Sequence, residues 1–116
     1  MAFKFENLKV WHSAANLSNQ IDSLTKGFPP EEKYSLSTQM KKAADSVALN
    51  IAEGSTGQTN AEFKRFLGFS LRSAVEVVSA LLLARMRNYI TEEIKQKYYD
   101  EYEMLCKMIT SLRASM

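Results

Sequence analysis

The residues best suited by type to do chemistry gather around Ser46 to Leu67, which reads SVALNIAEGSTGQTNAEFKRFL. Asn50 and Glu53, three apart, place an amide and a carboxylate on the last turn of an apolar helical run, and Gly54, Thr59 and Glu62 follow. Lys41 and Lys42 precede this stretch, and Lys64, Arg65 and Arg72 belong to the helix that it opens. Such cations could hold phosphates, with affinity falling steeply in salt. Each group also has a purely structural reading. Polar side chains near helix ends usually satisfy backbone groups, so Asn50 and Glu53 are expected to lock the joint, Glu53 reaching amides at the start of the next helix. Arg65 and Arg72 are seven apart and share an exposed face, and Lys42 points outward. Solvated surface competes with phosphate binding there, and Arg72 with Glu76 makes an ordinary i,i+4 pair.

The remaining reactive side chains support no catalytic constellation. His12 is the single histidine, and a di-metal bundle needs two Glu-x-x-His pairs, so no metal site and no cofactor are expected. Cys106 is the single cysteine. It borders an apolar arc with nothing nearby in sequence to lower its pKa, which describes a packed thiol rather than a nucleophile. Trp11, Tyr98, Tyr99 and Tyr102 could stack bases, but core and interface packing explains them more economically. A non-enzymatic protein is the expectation.

The chain of 116 residues suits one domain, and 46% hydrophobic with 24% charged residues is the balance of a soluble globular protein. The net charge of +2 does not announce a polyanion partner, but its distribution is uneven. Residues 55–89 carry Lys64, Arg65, Arg72, Arg85 and Arg87 against Glu62 and Glu76, a net +3. One cysteine cannot form an intrachain disulfide, and the N-terminus lacks an apolar signal core. The most hydrophobic tract, Ala74 to Ala84, is broken by Glu76 and Ser79 and falls short of the roughly 20 residues of a membrane span. A cytoplasmic location without membrane contact is expected.

Four helices must position these residues. Val10, Ala14, Leu17, Ile21 and Leu24 step by four and three, lining one face of a helix over about 7–26. Gly27 is expected to end it in the left-handed conformation, and Pro29-Pro30 turns the chain. A second helix over about 31–53 carries Leu36, Met40, Ala43, Ala44, Val47, Ala48 and Ile51 inward, with Gly54 as its stop. Thr59 and Glu62 form a capping box for a third helix over about 60–87. Thr91 caps a fourth over about 92–114, with Ile94, Tyr98, Tyr102, Leu105, Ile109 and Leu112 facing inward. Short connections make neighbours antiparallel, which gives an all-α, up-down-up-down four-helix bundle spanning residues 1–116 as one domain.

The third helix is too apolar for its own core alone. Phe63, Leu67, Ser70, Ala74, Val77 and Leu81 form one seam, and Leu71, Val75, Val78 and Leu82 a second beside it. This exceeds the stripe that a bundle helix needs and predicts contact with another subunit. Leu49, Phe69 and Leu83 fall outside the inner arcs and are the candidate interface residues.

The pattern as a whole resembles the 23S rRNA intervening-sequence proteins, small bacterial four-helix bundles. It is carried by Leu8-Lys9-Val10-Trp11, Phe28-Pro29, Glu32, Ser37 with Gln39, Ala43-Ala44, and Ser46 leading into Asn50-Ile51-Ala52-Glu53-Gly54. Glu62-Phe63, Arg65-Phe66-Leu67, and Ser73 with Glu76 complete it. The resemblance implies a ring-like homo-oligomer, a homopentamer, with no enzymatic activity. A related branch serves diversity-generating retroelements, where a similar bundle partners a reverse transcriptase and binds nucleic acid. Two departures stand out. Lys41-Lys42 replaces the usual arginine, losing the planar fork that grips phosphate, and the loop after Gly54 reads Ser-Thr-Gly-Gln where arginine is frequent. The expected function is a homo-oligomeric accessory module that binds RNA or DNA through Lys41, Lys42, Lys64, Arg65 and Arg72. The alternative is a protein-interaction scaffold without a nucleic-acid role.

Overall fold

A computed structural model describes residues 2–116. Four helices follow in order: α1 Lys9–Thr25, α2 Leu36–Ser55, α3 Asn60–Met86 and α4 Glu92–Ala114. Short 3-10 turns, Lys4–Asn7 and Pro30–Glu32, precede α1 and α2. No strand occurs among the described residues. Each helix packs on its chain neighbours and α4 returns to α1, while α1 and α3, like α2 and α4, lie diagonally apart. The result is an all-α four-helix bundle of 43 × 23 × 22 Å.

The periodic apolar positions make the core. Ile21, Met40, Ile51, Leu67, Val77, Leu81, Leu105 and Ile109 are fully buried. Burial of such side chains stabilises by about 1.5–3 kcal/mol each. Helices α2 and α3 form the most extensive pair, with small residues at their contact. Gly54 faces Phe63 and Phe66 there, and Ser70 Oγ donates to the Val47 carbonyl at 2.9 Å. This inter-helix bond satisfies a hydroxyl that would otherwise be costly to bury.

Several helix ends differ from expectation. Residues 31–35 do not begin α2. Glu32 is turned inward and its carboxylate accepts from the Leu36 amide at 3.4 Å, so the first regular turn starts at Leu36. Gly54 does not stop α2, which runs on to Ser55 with Thr56 as its cap. Its lack of a side chain serves packing instead: a Cβ there would stand 2.5 Å from Phe66 Cβ and 3.1 Å from the Phe63 ring. Gly27 is not left-handed either, since no described glycine has positive φ. The left-handed residue is Asn88, at φ 62°, where the Tyr89 amide reaches back to the Ala84 carbonyl at 2.9 Å and the Asn88 amide to Arg85 at 3.0 Å. That is a Schellman ending with asparagine in the glycine position.

Two corners meet at one end of the bundle. Besides Leu36, the Glu32 carboxylate accepts from Arg87 Nη1 at 2.9 Å and Tyr89 Oη at 2.7 Å. The Phe28 and Tyr89 rings pack 5.5 Å apart beside it. The α1–α2 corner is thereby tied to the α3–α4 corner.

Candidate functional site

Lys64, Arg65, Gly68, Phe69 and Arg72 recur on α3 at steps of three and four, the spacing that stacks side chains on one helix face. Next to that face, α4 delivers Arg113 from its last turn. Its guanidinium rests against α3 at Gly68, where a Cβ would lie at an ordinary 3.5 Å from Arg113 Nη2. Together these residues line an open groove of about 500 Å³ between α3 and α4.

The electrostatics of the groove follow from what its cations lack. Ion pairs among the described residues link Lys26 and Lys41 to Asp22, Arg85 and Lys95 to Glu92, and Arg87 to Glu32. Lys64, Arg65, Arg72 and Arg113 take part in none. The pair expected between Arg72 and Glu76 is not formed. Four positive charges therefore share one groove, and no carboxylate lines it. Arg65 is positioned by aromatic rings, its guanidinium 5.5 Å from the Phe69 centroid and 5.8 Å from that of Phe66. Those rings meet edge-on at 5.5 Å. Cation–π attraction pre-orients the arginine without consuming its donors.

The other two candidate cations lie elsewhere. Lys41 is held 3.2 Å from Asp22 of α1, which puts it on the α1–α2 border. Its hydrogen bond, outweighing some desolvation, keeps the Asp22 carboxyl below the ordinary carboxylate range. Lys42 is exposed on the outer face of α2 with Asp45, Leu49 and Glu53. Only three of the five expected contact residues thus come together, and Arg113 joins them.

The joint between α2 and α3 is not closed by the expected polar pair. Asn50 Nδ2 donates to the Ser46 carbonyl at 2.9 Å within its own helix. Glu53 is exposed, and its carbonyl accepts from Thr56 Oγ1 at 2.7 Å. Its carboxylate reaches no amide of α3. Gly54 and the Phe63 and Phe66 rings lock the crossing instead. Thr59 caps α3 by accepting from the Glu62 amide at 3.1 Å.

The candidate interface residues are likewise dispersed. Leu49 is 63% exposed on α2, where it borders a shallow cleft shared with α1. Phe69 is a wall of the basic groove. Leu83 is 39% exposed, one turn from Met86 at 78%. A second α3–α4 groove, about 370 Å³ and mainly apolar, holds Val75, Val78, Leu82, Tyr99, Tyr102 and Cys106. The second apolar seam of α3 ends there, with Val75 65% exposed. Burial raises the pKa of the Cys106 thiol, helped by Glu103. Taken whole, α3 is long and apolar enough by composition to cross a membrane, although only part of its surface is buried in the bundle. No group of three or more His, Cys, Asp or Glu side chains able to hold a metal occurs among the described residues.

Arg113 and Gly68 escaped the sequence reading. Nothing local to Gly68 named its neighbour, a residue 45 positions later. The groove offers cations and a ring rather than a nucleophile or a carboxylate. Such a set of groups suits anions, with the Phe69 ring as an apolar surface beside them.

Comparison with known proteins points to one family. The family model for "23S rRNA-intervening sequence protein" matches residues 6–111. A crystal structure of a protein with unknown function from the S23 ribosomal protein family, from Bacteroides thetaiotaomicron VPI-5482, is similar with a TM-score of 0.83. The two share 24% identity over 90% of this chain and 97% of that one, a likeness that speaks for the fold. No curated protein matches the sequence.

Proposed function

The chain belongs to the 23S rRNA-intervening sequence protein family, and from that premise we propose a non-enzymatic helical module that binds nucleic acid in its basic groove. On this reading it is cytoplasmic and works as a homo-oligomer, five subunits to a ring. The observation that carries the proposal is the convergence of Lys64, Arg65, Arg72 and Arg113 in one groove without acidic partners. Unpaired cations release counterions from a phosphate chain at little cost, which is the main source of nucleic-acid affinity. Both family descriptions speak of ribosomal RNA or the ribosome, so structured RNA is the first polyanion to test.

Fluorescence anisotropy with a labelled structured RNA tests this. Four phosphate contacts predict roughly a hundredfold weaker binding between about 50 and 200 mM salt. Joint Arg65→Glu and Arg113→Glu substitution should abolish binding, whereas Lys42→Glu, away from the groove, should change it little. Absence of binding by the wild-type protein at about 50 mM salt, where phosphate contacts are strong, refutes the reading.

A second reading is favoured by a different observation. The mainly apolar α3–α4 groove and exposed Val75, Leu83 and Met86 describe a protein-contact surface. On the first reading another subunit covers it; on the second it docks a different protein, a reverse transcriptase being one candidate, and nucleic acid plays no part.

A further inference from the structure

Phe69 sets an aromatic ring among the cations of the basic groove. It is partly buried, lines the groove among Lys64, Arg65, Arg72 and Arg113, and carries the Arg65 guanidinium 5.5 Å from its ring centre. A duplex turns its phosphates outward and keeps its base faces stacked inside. Such a ligand offers the ring charge but no surface to cover it, and strips water from the phenyl without return. An unpaired strand offers both parts at once, phosphates for the cations and a π-face for the ring.

From this juxtaposition, and resting on the nucleic-acid reading above, we infer that the groove takes a single-stranded segment with one base stacked at Phe69 and Arg65. The dimensions fit a short segment. Lys64 and Arg72 are eight residues apart, about 12 Å along the helix axis, a span for a few nucleotides at most. Arg113, lying over Gly68, contacts the strand from the α4 side between those two ends. Arg65 supplies a planar cation that stacks on a base and leaves its donors for phosphate.

The test is anisotropy at about 50 mM salt with three labelled probes of about 12 nucleotides: a single-stranded RNA, an abasic strand of the same length, and the duplex. The intact strand should bind about tenfold tighter than the abasic strand. Phe69→Ala should erase the preference for the intact over the abasic strand, while Phe69→Trp should preserve it. Equal affinity for all three probes, with Phe69→Ala neutral, overturns the stacking inference and leaves charge-driven binding intact. No binding to any probe overturns both. Should Phe69→Ala fail to fold by circular dichroism, the intact-against-abasic comparison on the wild-type protein decides.

Discussion

Glu32 is a carboxylate whose protonation the structure opposes. The hydrogen bond from Tyr89 holds its pKa below the usual value of 4.5, with further help from the Leu36 amide and Arg87, against the desolvation of a largely buried group. A lowered folded-state pKa contributes stability that is present above the unfolded value and is lost as pH falls through the folded one. The wild-type protein should therefore lose stability below about pH 4.5 more steeply than Glu32→Gln. At pH 7 the variant should be the less stable of the two. Urea titrations at pH 7, 5 and 3 would measure both, and parallel curves would remove Glu32 from the account. Glu32 was visible in the sequence as part of a family pattern, but its partners lie 55 and 57 residues away, beyond any local rule. Asn50 and Glu53 were misread for the opposite reason: proximity in sequence suggested a cluster, and each side chain turned to its own helix or to solvent.

At the level of elements, the helices were legible because apolar residues recur at three and four over long runs. Their ends were less so. Glycine was read as a helix stop at Gly54, where it instead permits two helices to touch. Two substitutions separate these roles. Alanine favours a helix over glycine by about 1 kcal/mol, and at Gly68 the added Cβ would meet Arg113 at an ordinary 3.5 Å. At Gly54 it would meet the Cβ of Phe66 at 2.5 Å, and neither helix can yield without disturbing the α2–α3 contact. Overpacking of this kind costs about 1–3 kcal/mol and outweighs the propensity gain. Gly68→Ala should raise the urea midpoint slightly and Gly54→Ala should lower it. A rise in both would mean that the crossing relaxes freely.

For the whole molecule, the sequence placed the positive excess on α3 correctly but could not show which cations were free. Lys41 is engaged by Asp22 of another helix, and Arg113 arrives from the far end of the chain; both facts depend on the order in which helices pack. The apolar surplus of α3 was also readable, and the structure divides it between the core, the second groove and the exposed Leu83 and Met86. If that outer stripe assembles copies of the chain, Leu83→Glu should leave the helical content intact and reduce the mass by light scattering to that of one chain. An unchanged assembly mass would exclude Leu83 from the subunit contact. The Glu32 tie has one more consequence, a matter of linkage. The molecule is two helical hairpins packed along α2 and α3 and tied at both ends, by peptide bonds at residues 56–59 and by the Glu32 carboxylate at the other. Only the second joint can be opened by a proton. Acid should therefore loosen the Phe28–Tyr89 end first, as local opening of the two corners, while the α2–α3 core and the end that carries Lys64 and Arg113 stay packed.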